Sequence, residues 1–294
     1  MLTAPIQNYL NQLFADKSGM QTISLQTESV GGGSINAAYK ITVNKNQKFF
    51  LKVNSKTTYP LLFEKEKNGL DFISRQKIIK VPGVIACDEV EDRQILLLEW
   101  IGDGLRSELF WKQFGEQLAR LHRVTNSSFG FEEDNYMGAL HQSNIGYTNW
   151  VEFFIQCRLQ PQIKAAIEKG AIQKKQVLQF DKLYTLLPGI FNSENASLLH
   201  GDLWSGNFMC NESSAPVLID PAVYFGHRSM DLAMTTLFGG FDKLFYESYH
   251  YHFPFPPNYN EQWEICNLYP LLIHLNLFGS GYLHQVKTIL DKFS

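Results

Sequence analysis

Between Leu198 and Gly226 the chain reads LLHGDLWSGNFMCNESSAPVLIDPAVYFG, and two carboxylates and an amide stand in it, Asp202, Asn207 and Asp220. When a phosphoryl group moves, charge builds on the oxygens around phosphorus. A catalyst for that reaction therefore mainly holds phosphates, metal ions and the attacking hydroxyl in line. Magnesium takes hard oxygen ligands and keeps several waters, so one carboxylate and one amide carbonyl suffice where nucleotide phosphates supply the rest. Asp220 and Asn207 fit that requirement. A second carboxylate that escapes the metal can accept the proton of an acceptor hydroxyl, which is the role open to Asp202. Asp and Asn are also common turn formers and strand caps, and it is their combined spacing that argues for chemistry.

Four residues separate Asp202 from Asn207, as in H-R-D-x-x-x-x-N, and Asp220 closes the apolar run Val217, Leu218, Ile219 as the Asp of D-F-G does. Phosphates also need a cation. Lys52 lies in FFLKV, where strand alternation puts Phe49, Leu51 and Val53 on one face and Phe50 with Lys52 on the other. The next segment, PLLFEKEKNGLDFISRQ, opens with a proline suited to a first helical turn and carries Leu62, Leu70 and Ile73 along one stripe. Glu66 falls on that stripe. A carboxylate facing the core is costly unless paired, so the spacing predicts a Glu66 to Lys52 ion pair, with Glu64 on the more polar side as the fallback. Upstream, GGGSIN offers Gly32 and Gly33 for close backbone approach to phosphates, with Ser34 and Asn36 as side-chain donors; a plain hairpin turn is the competing reading.

The elements that must position these residues follow from composition and pattern. With 294 residues and 45% apolar content the chain can bury a substantial core. A net charge of −3 leaves no basic nucleic-acid footprint, and the longest apolar runs fall well short of a membrane span. The N-terminus lacks a leader pattern, which points to a cytoplasmic protein. Cys87, Cys157, Cys210 and Cys266 are scattered without Cys-x-x-Cys, so structural zinc or a disulfide framework is not expected. Nothing in the sequence calls for an obligate protein partner.

The N-terminal third reads as β-rich segments, ISLQTESV, AAYKITV and KFFLKVN, around one helix. ILLLEWIGDG is an apolar strand ending at Gly102 and Gly104, and Glu99, Trp100 and Ile101 read as a hinge whose backbone would bond an adenine edge. From Glu108 the pattern turns helical: Trp111, Phe114, Leu118 and Leu121 recur at helical spacing, and NWVEFFIQCRLQPQI and KQVLQFDKLYTLL are further amphipathic stretches. The expected fold class is α+β with two lobes. Residues 1–98 form a small nucleotide-binding antiparallel sheet lobe, 99–104 the hinge, and 105–294 a mainly helical catalytic and substrate lobe.

The set GGGSINAAY, FLKVN, FEKEKNGL, LARLHRV, FGFEEDNYMGAL, HGDLWSGN and DPAVYFGHRSMDLAM resembles the fructosamine kinase, or ketosamine 3-kinase, family over nearly the whole chain. The resemblance implies a protein-kinase-like, aminoglycoside phosphotransferase-like fold. It also implies ATP- and Mg2+-dependent phosphorylation at the C3 hydroxyl of ketosamines, sugar adducts of lysine that are free or protein-bound, as a step in deglycation. Ribulosamines are the sugars it favours. By the same resemblance Asp202 is the base, Asn207 and Asp220 hold magnesium, Lys52 and Glu66 position phosphate, and Trp204 lies where the sugar docks, with core packing as its alternative.

Gly201 replaces the Arg of H-R-D and no A-P-E element follows DPAVYFG, so control by activation-loop phosphorylation is not expected. Arg228 and Asp231 either buttress the loop or line the sugar pocket, and Asp231 is placed to cap a helix. Two other functions stay open on sequence grounds. One is a kinase for choline, an amino alcohol or an aminoglycoside, with the aromatic stretch from Phe245 to Trp263 caging a cation. The other is a nucleotide-binding pseudokinase scaffold.

Overall fold

The computed structural model describes residues 2–18, 24–31, 35–191 and 193–293. Five strands, β1 (Leu25–Val30), β2 (Ala37–Val43), β3 (Gln47–Ser55), β4 (Val84–Val90) and β5 (Arg93–Glu99), pair antiparallel in the order β1-β2-β3-β5-β4. Asn44 and Lys45 both take left-handed backbone between β2 and β3, the twist a tight hairpin needs. Residue alternation then sorts the two faces. Leu51 and Val53 of β3 join Ile41, Val43, Ile95 and Leu97 on one side, while Lys52 and Leu96 face the other.

Each face carries a helix. α2 (Leu62–Arg75) buries Leu62, Phe63, Leu70 and Ile73 against the face with Leu96 and Leu98. α1 (Ala4–Ser18) covers the opposite face through Ile6, Leu10 and Phe14, and Leu2 just before it continues the same four-residue step. Each such burial stabilises by about 1.5–3 kcal/mol. The sequence reading supplied one helix beside this sheet; α1 is the second, and without it the Leu51 face would lie open to water.

The remainder is mainly helical, from α3 (Glu108–His122), whose first turn is capped by Ser107 accepting from the Phe110 N–H, to α11 (Leu283–Phe293). Between them run β6 (Thr125–Asn126), β7 (Asn135–Met137), β8 (Leu140–Gln142), α4 (Trp150–Phe153), α5 (Gln160–Glu168) and α6 (Lys174–Ile190). The amphipathic stretch from Asn149 is one continuous rod in which a π-helical turn, Phe154–Leu159, joins α4 to α5. There follow β9 (Ala196–Leu199), β10 (Phe208–Cys210), β11 (Pro216–Leu218) and β12 (Tyr224–Gly226), then α7 (Ser229–Leu237), α8 (Lys243–His252), α9 (Tyr259–Cys266) and α10 (Leu268–Phe278). β9 is central to the order β12-β9-β6, and β10 pairs with β11. The two loops with the chemistry-bearing residues follow β9 and β11, and the Ala222 N–H donates to the His200 carbonyl at 2.9 Å between them. Among the described residues no helix is long and apolar enough to cross a membrane, and all four cysteines are free.

Candidate active site

The catalytic-loop backbone is held from beneath. Buried Asp231, in the first turn of α7, accepts the N–H of His200 at 2.7 Å and of Gly201 at 2.9 Å. It therefore pins another segment rather than capping its own helix, which begins without a side-chain cap. His122 of α3 touches the same carboxylate through Nε2 at 3.2 Å and meets the Tyr249 hydroxyl through Nδ1 at 2.8 Å. The His200 ring links both site loops: Nε2–H donates to the Ile219 carbonyl at 2.9 Å and Nδ1 accepts the Asp202 N–H at 3.2 Å. One donor and one acceptor define a neutral imidazole, and burial holds its pKa below the ordinary value. Gly201 has φ +86°, and a Cβ there would lie 2.0 Å from the Ala222 carbonyl oxygen, so no other residue fits.

On this frame Asn207 donates from Nδ2 to the Asp202 main-chain oxygen and to Asp202 Oδ2, both at 2.9 Å. That orientation turns the Asn207 carbonyl oxygen away from Asp202. Asp220 takes left-handed backbone, φ 54°, and reaches Lys52 Nζ with Oδ1 at 2.7 Å. Lys52 is also 2.7 Å from Glu66 Oε1, the pair expected from the helical stripe, whereas Glu64 is exposed. Burial would push the Lys52 ammonium down, but the carboxylates of Asp220 and Glu66 outweigh it and hold Lys52 above its ordinary pKa. Glu66 lies above the ordinary carboxylate range because burial outweighs the attraction of Lys52. Asp202 is pushed up to about 7, first by burial and then by the Asp220 carboxylate, against the Asn207 hydrogen bond. A carboxylate so raised is a stronger base than one in water.

These residues line one side of a cavity of about 510 Å³. Asn36 lies beside Lys52, its Oδ1 accepting from Asn54 Nδ2 at 2.6 Å. Aromatic rings line the same cavity: Trp204, Phe238, His274, Phe278 and Tyr282. His274 is the hub, its ring 4.9 Å from Phe238 and 5.0 Å from Tyr282 between centroids. Trp204 lies over Gly206, where a Cβ would come 2.3 Å from the indole. It is half-buried and packs edge-on to Phe238 at 6.0 Å, so packing and cavity lining are the same feature.

Other expected positions fall elsewhere. Gly32, Gly33 and Ser34 lie outside the described residues. Glu99, Trp100 and Ile101 are not among the described residues lining the cavity; the Glu99 carboxylate is taken up by Lys80 Nζ at 2.6 Å and the Gly83 N–H at 3.1 Å. Arg228, read as either loop support or sugar-pocket lining, is not among the described residues that line the cavity. It is buried, bonded to Glu194 and to the carbonyls of Phe253 and Pro254, and its guanidinium lies 3.8 Å from the Phe253 ring centre. The aromatic stretch from Phe245 to Trp263 thus receives the protein's own cation, and Phe255 stacks on Tyr249 at 5.4 Å rather than facing the cavity. The sequence reading missed His200 and His122 as parts of the frame. HGD adjacency could have marked His200, but nothing local marks His122.

The fructosamine kinase family profile matches residues 6–294. The chain belongs to the fructosamine kinase family. The "Probable ketoamine kinase" of Synechocystis sp. is 35% identical over 290 residues, 98% of this chain and 97% of its own length. The chloroplastic protein-ribulosamine 3-kinase of Arabidopsis thaliana is 34% identical over 281 residues, covering 94% and 84%. A solved Haemophilus somnus 129PT structure, provisionally assigned as a fructosamine-3-kinase, superposes with a TM-score of 0.87 at 26% identity, covering 97% and 96%. As a fructosamine kinase family member with this two-lobed protein-kinase-like fold, the protein is an ATP-dependent phosphotransferase.

Proposed function

We propose that the protein transfers the γ-phosphoryl group of ATP to the C3 hydroxyl of ketosamines formed on lysine. The observation that carries this reading is the Asp202–Asn207–Asp220–Lys52 cluster lining one cavity together with a group of aromatic rings. Asp202 accepts the hydroxyl proton as the new O–P bond forms and ADP leaves. Lys52, braced by Glu66, carries positive charge to the phosphates. Asn36 contacts the nucleotide, with 99–101 at the adenine edge between lobes 1–98 and 105–294. Trp204 and its aromatic neighbours meet the C–H face of the sugar.

The donor set also suits magnesium. Among the described residues no group of three or more His, Cys, Asp or Glu could hold a metal by itself. The hard oxygens of Asp220 and Asn207 suit an ion that keeps waters and shares phosphate oxygens. Bound there, magnesium would neutralise phosphate charge.

The names of the relatives support a ketosamine acceptor, and the ribulosamine kinase among them supports ribulosamines as the favoured class. We place the activity in the cytoplasm, consistent with four free, scattered cysteines. Mass spectrometry of ribulose-lysine, fructose-lysine, choline and kanamycin, each incubated with protein, ATP and magnesium, tests the reading. A phosphate increment on the ketosamines alone is expected; an increment on choline or kanamycin alone overturns it.

A further inference from the structure

In protein kinases the Lys–Glu pair is a switch, made or broken as the helix bearing the glutamate moves. Here α2, which carries Glu66, is fastened along its length to the larger lobe by residues 131–144. Glu133 Oε2 meets Lys65 Nζ at 2.5 Å and Oε1 accepts from Asn68 Nδ2 at 2.9 Å, both partners flanking Glu66 on α2. One turn further on, Phe131 packs edge-on to Phe72 at 5.1 Å, and at the entry to the helix the Tyr136 hydroxyl donates to the Pro60 carbonyl at 3.0 Å. Gly69 permits the closest approach: a Cβ there would lie 3.2 Å from Val223 Cγ2 and 3.5 Å from Pro221 Cγ.

The fastening segment is itself tied to the backbone that follows Asp220. Asn135 Nδ2 donates to the Val223 carbonyl at 2.8 Å, and Gln142 Nε2 donates to Asn135 Oδ1 at 2.8 Å and to the Ala222 carbonyl at 3.3 Å. Tyr269 of α10 donates its hydroxyl to Gln142 Oε1 at 2.8 Å. Arg158, at 0% exposure in the π-helical turn, binds the Ser143 carbonyl at 2.6 Å and Asn144 Oδ1 at 2.7 Å. Asn144 returns to the Glu133 carbonyl through Nδ2 at 3.0 Å. A largely buried network of this kind, in which each of these side chains bonds at least one other segment, favours one arrangement over others.

We propose that residues 131–144 are a built-in clamp that keeps α2 docked, with Glu133 as the positioning residue, so that the Lys52–Glu66–Asp220 arrangement is the resting state of the enzyme. The clamp stands where other kinases use a switch, in a chain that lacks the arginine and A-P-E signals of phosphorylation control. It rests on Lys52 and Glu66 serving the nucleotide, and its test needs no acceptor.

Amide hydrogen exchange over 62–75 and calorimetric affinity for ATP with magnesium are compared in the wild type, Glu133→Ala and Glu133→Gln. Glu133→Ala is expected to speed exchange in α2 while leaving α6 and α11 unchanged, and to weaken ATP binding about tenfold, the scale of a lost charge-assisted contact. Glu133→Gln, which still accepts from Asn68, recovers most of both. In a Glu66→Gln background the same Glu133→Ala change is expected to cost less than about twofold, because Glu133 acts through Glu66. Unchanged exchange in α2, or a full tenfold loss in the Glu66→Gln background, overturns the proposal. Should Glu133→Ala fold poorly, Asn68→Ala removes the same contact from the other side, with about a threefold loss expected and the same two outcomes deciding. A wrong acceptor assignment would leave all these readouts intact.

Discussion

On the charged wall of the cavity, Asp202, Asn207 and Asp220 stand on backbone tied from below by Asp231, His200 and Gly201. On the aromatic wall, Trp204, Phe238, His274 and Tyr282 lean on one another near the mouth, and Phe238 is 39% exposed. Hydrogen bonds fix the first in direction as well as distance, whereas ring packing fixes the second mainly in distance. In-line transfer tolerates little misplacement of the reacting groups, and an apolar sugar face tolerates more. Under the proposed function the difference divides the labour: the first wall would set the rate and the second would set which acceptor stays.

The largest expected effect tests the first wall. Asp202→Ala should lower kcat by about a thousandfold, within the range for a lost general base, while calorimetry shows ATP affinity within about twofold of wild type. Turnover that survived this change would remove the base from the charged wall.

Next comes the frame. Asp231→Ala leaves the His200 and Gly201 amides without their acceptor, and urea unfolding should show a loss of about 3 kcal/mol. Activity per folded molecule should also drop. A stable protein with normal kcat would show that the loop holds itself.

The frame also predicts a pH response. His227 is buried and lowered to about 4, by burial first, with Glu194 opposing and Arg228 and His122 adding to the depression. The unfolded chain, at its ordinary value of 6.5, therefore binds the proton first as pH falls. The stability contribution is complete above pH 6.5 and is lost progressively down to about pH 4. Relative to His227→Gln, the wild type should lose about 3 kcal/mol in melting curves across this window, while Asp202 and Glu66, both raised by burial, shift the two proteins alike in the opposite direction.

Smallest of all, Trp204→Ala should raise the acceptor KM about tenfold with kcat changed less than about threefold. Trp204→Phe should recover most of the affinity. A fall in kcat equal to that of Asp202→Ala would erase the distinction between the walls.

Residues whose role depends on near neighbours were legible in the sequence. Asp202 and Asn207 share one loop, Lys52 sits on an alternating strand, and Glu66 betrays itself as a carboxylate on an apolar stripe. Strand alternation likewise separated Leu51 from Lys52, and the two-lobed fold followed. What stayed hidden depends on partners far along the chain. Asp231 meets His122 across 109 residues, and Glu133 meets Lys65 across 68. Arg228 was open to buttressing the loop or lining the sugar pocket, and its partners, Glu194 and two loop carbonyls, lie far from it in sequence. α1 escaped notice because its buried residues share the helix with Tyr9 and Leu13, which blur the polar face.

Gly201 also bears on what this lineage can become. The arginine found at that place in H-R-D kinases is one codon position away in principle, yet its Cβ would enter the Ala222 carbonyl, 2.0 Å from the oxygen. An arginine arriving first would damage the loop before any phosphorylated residue existed to reward it. The segment around Ala222 would have to move aside beforehand, and that segment is bound to Gln142 and His200. Acquiring a phosphorylation switch is thus a valley several substitutions wide.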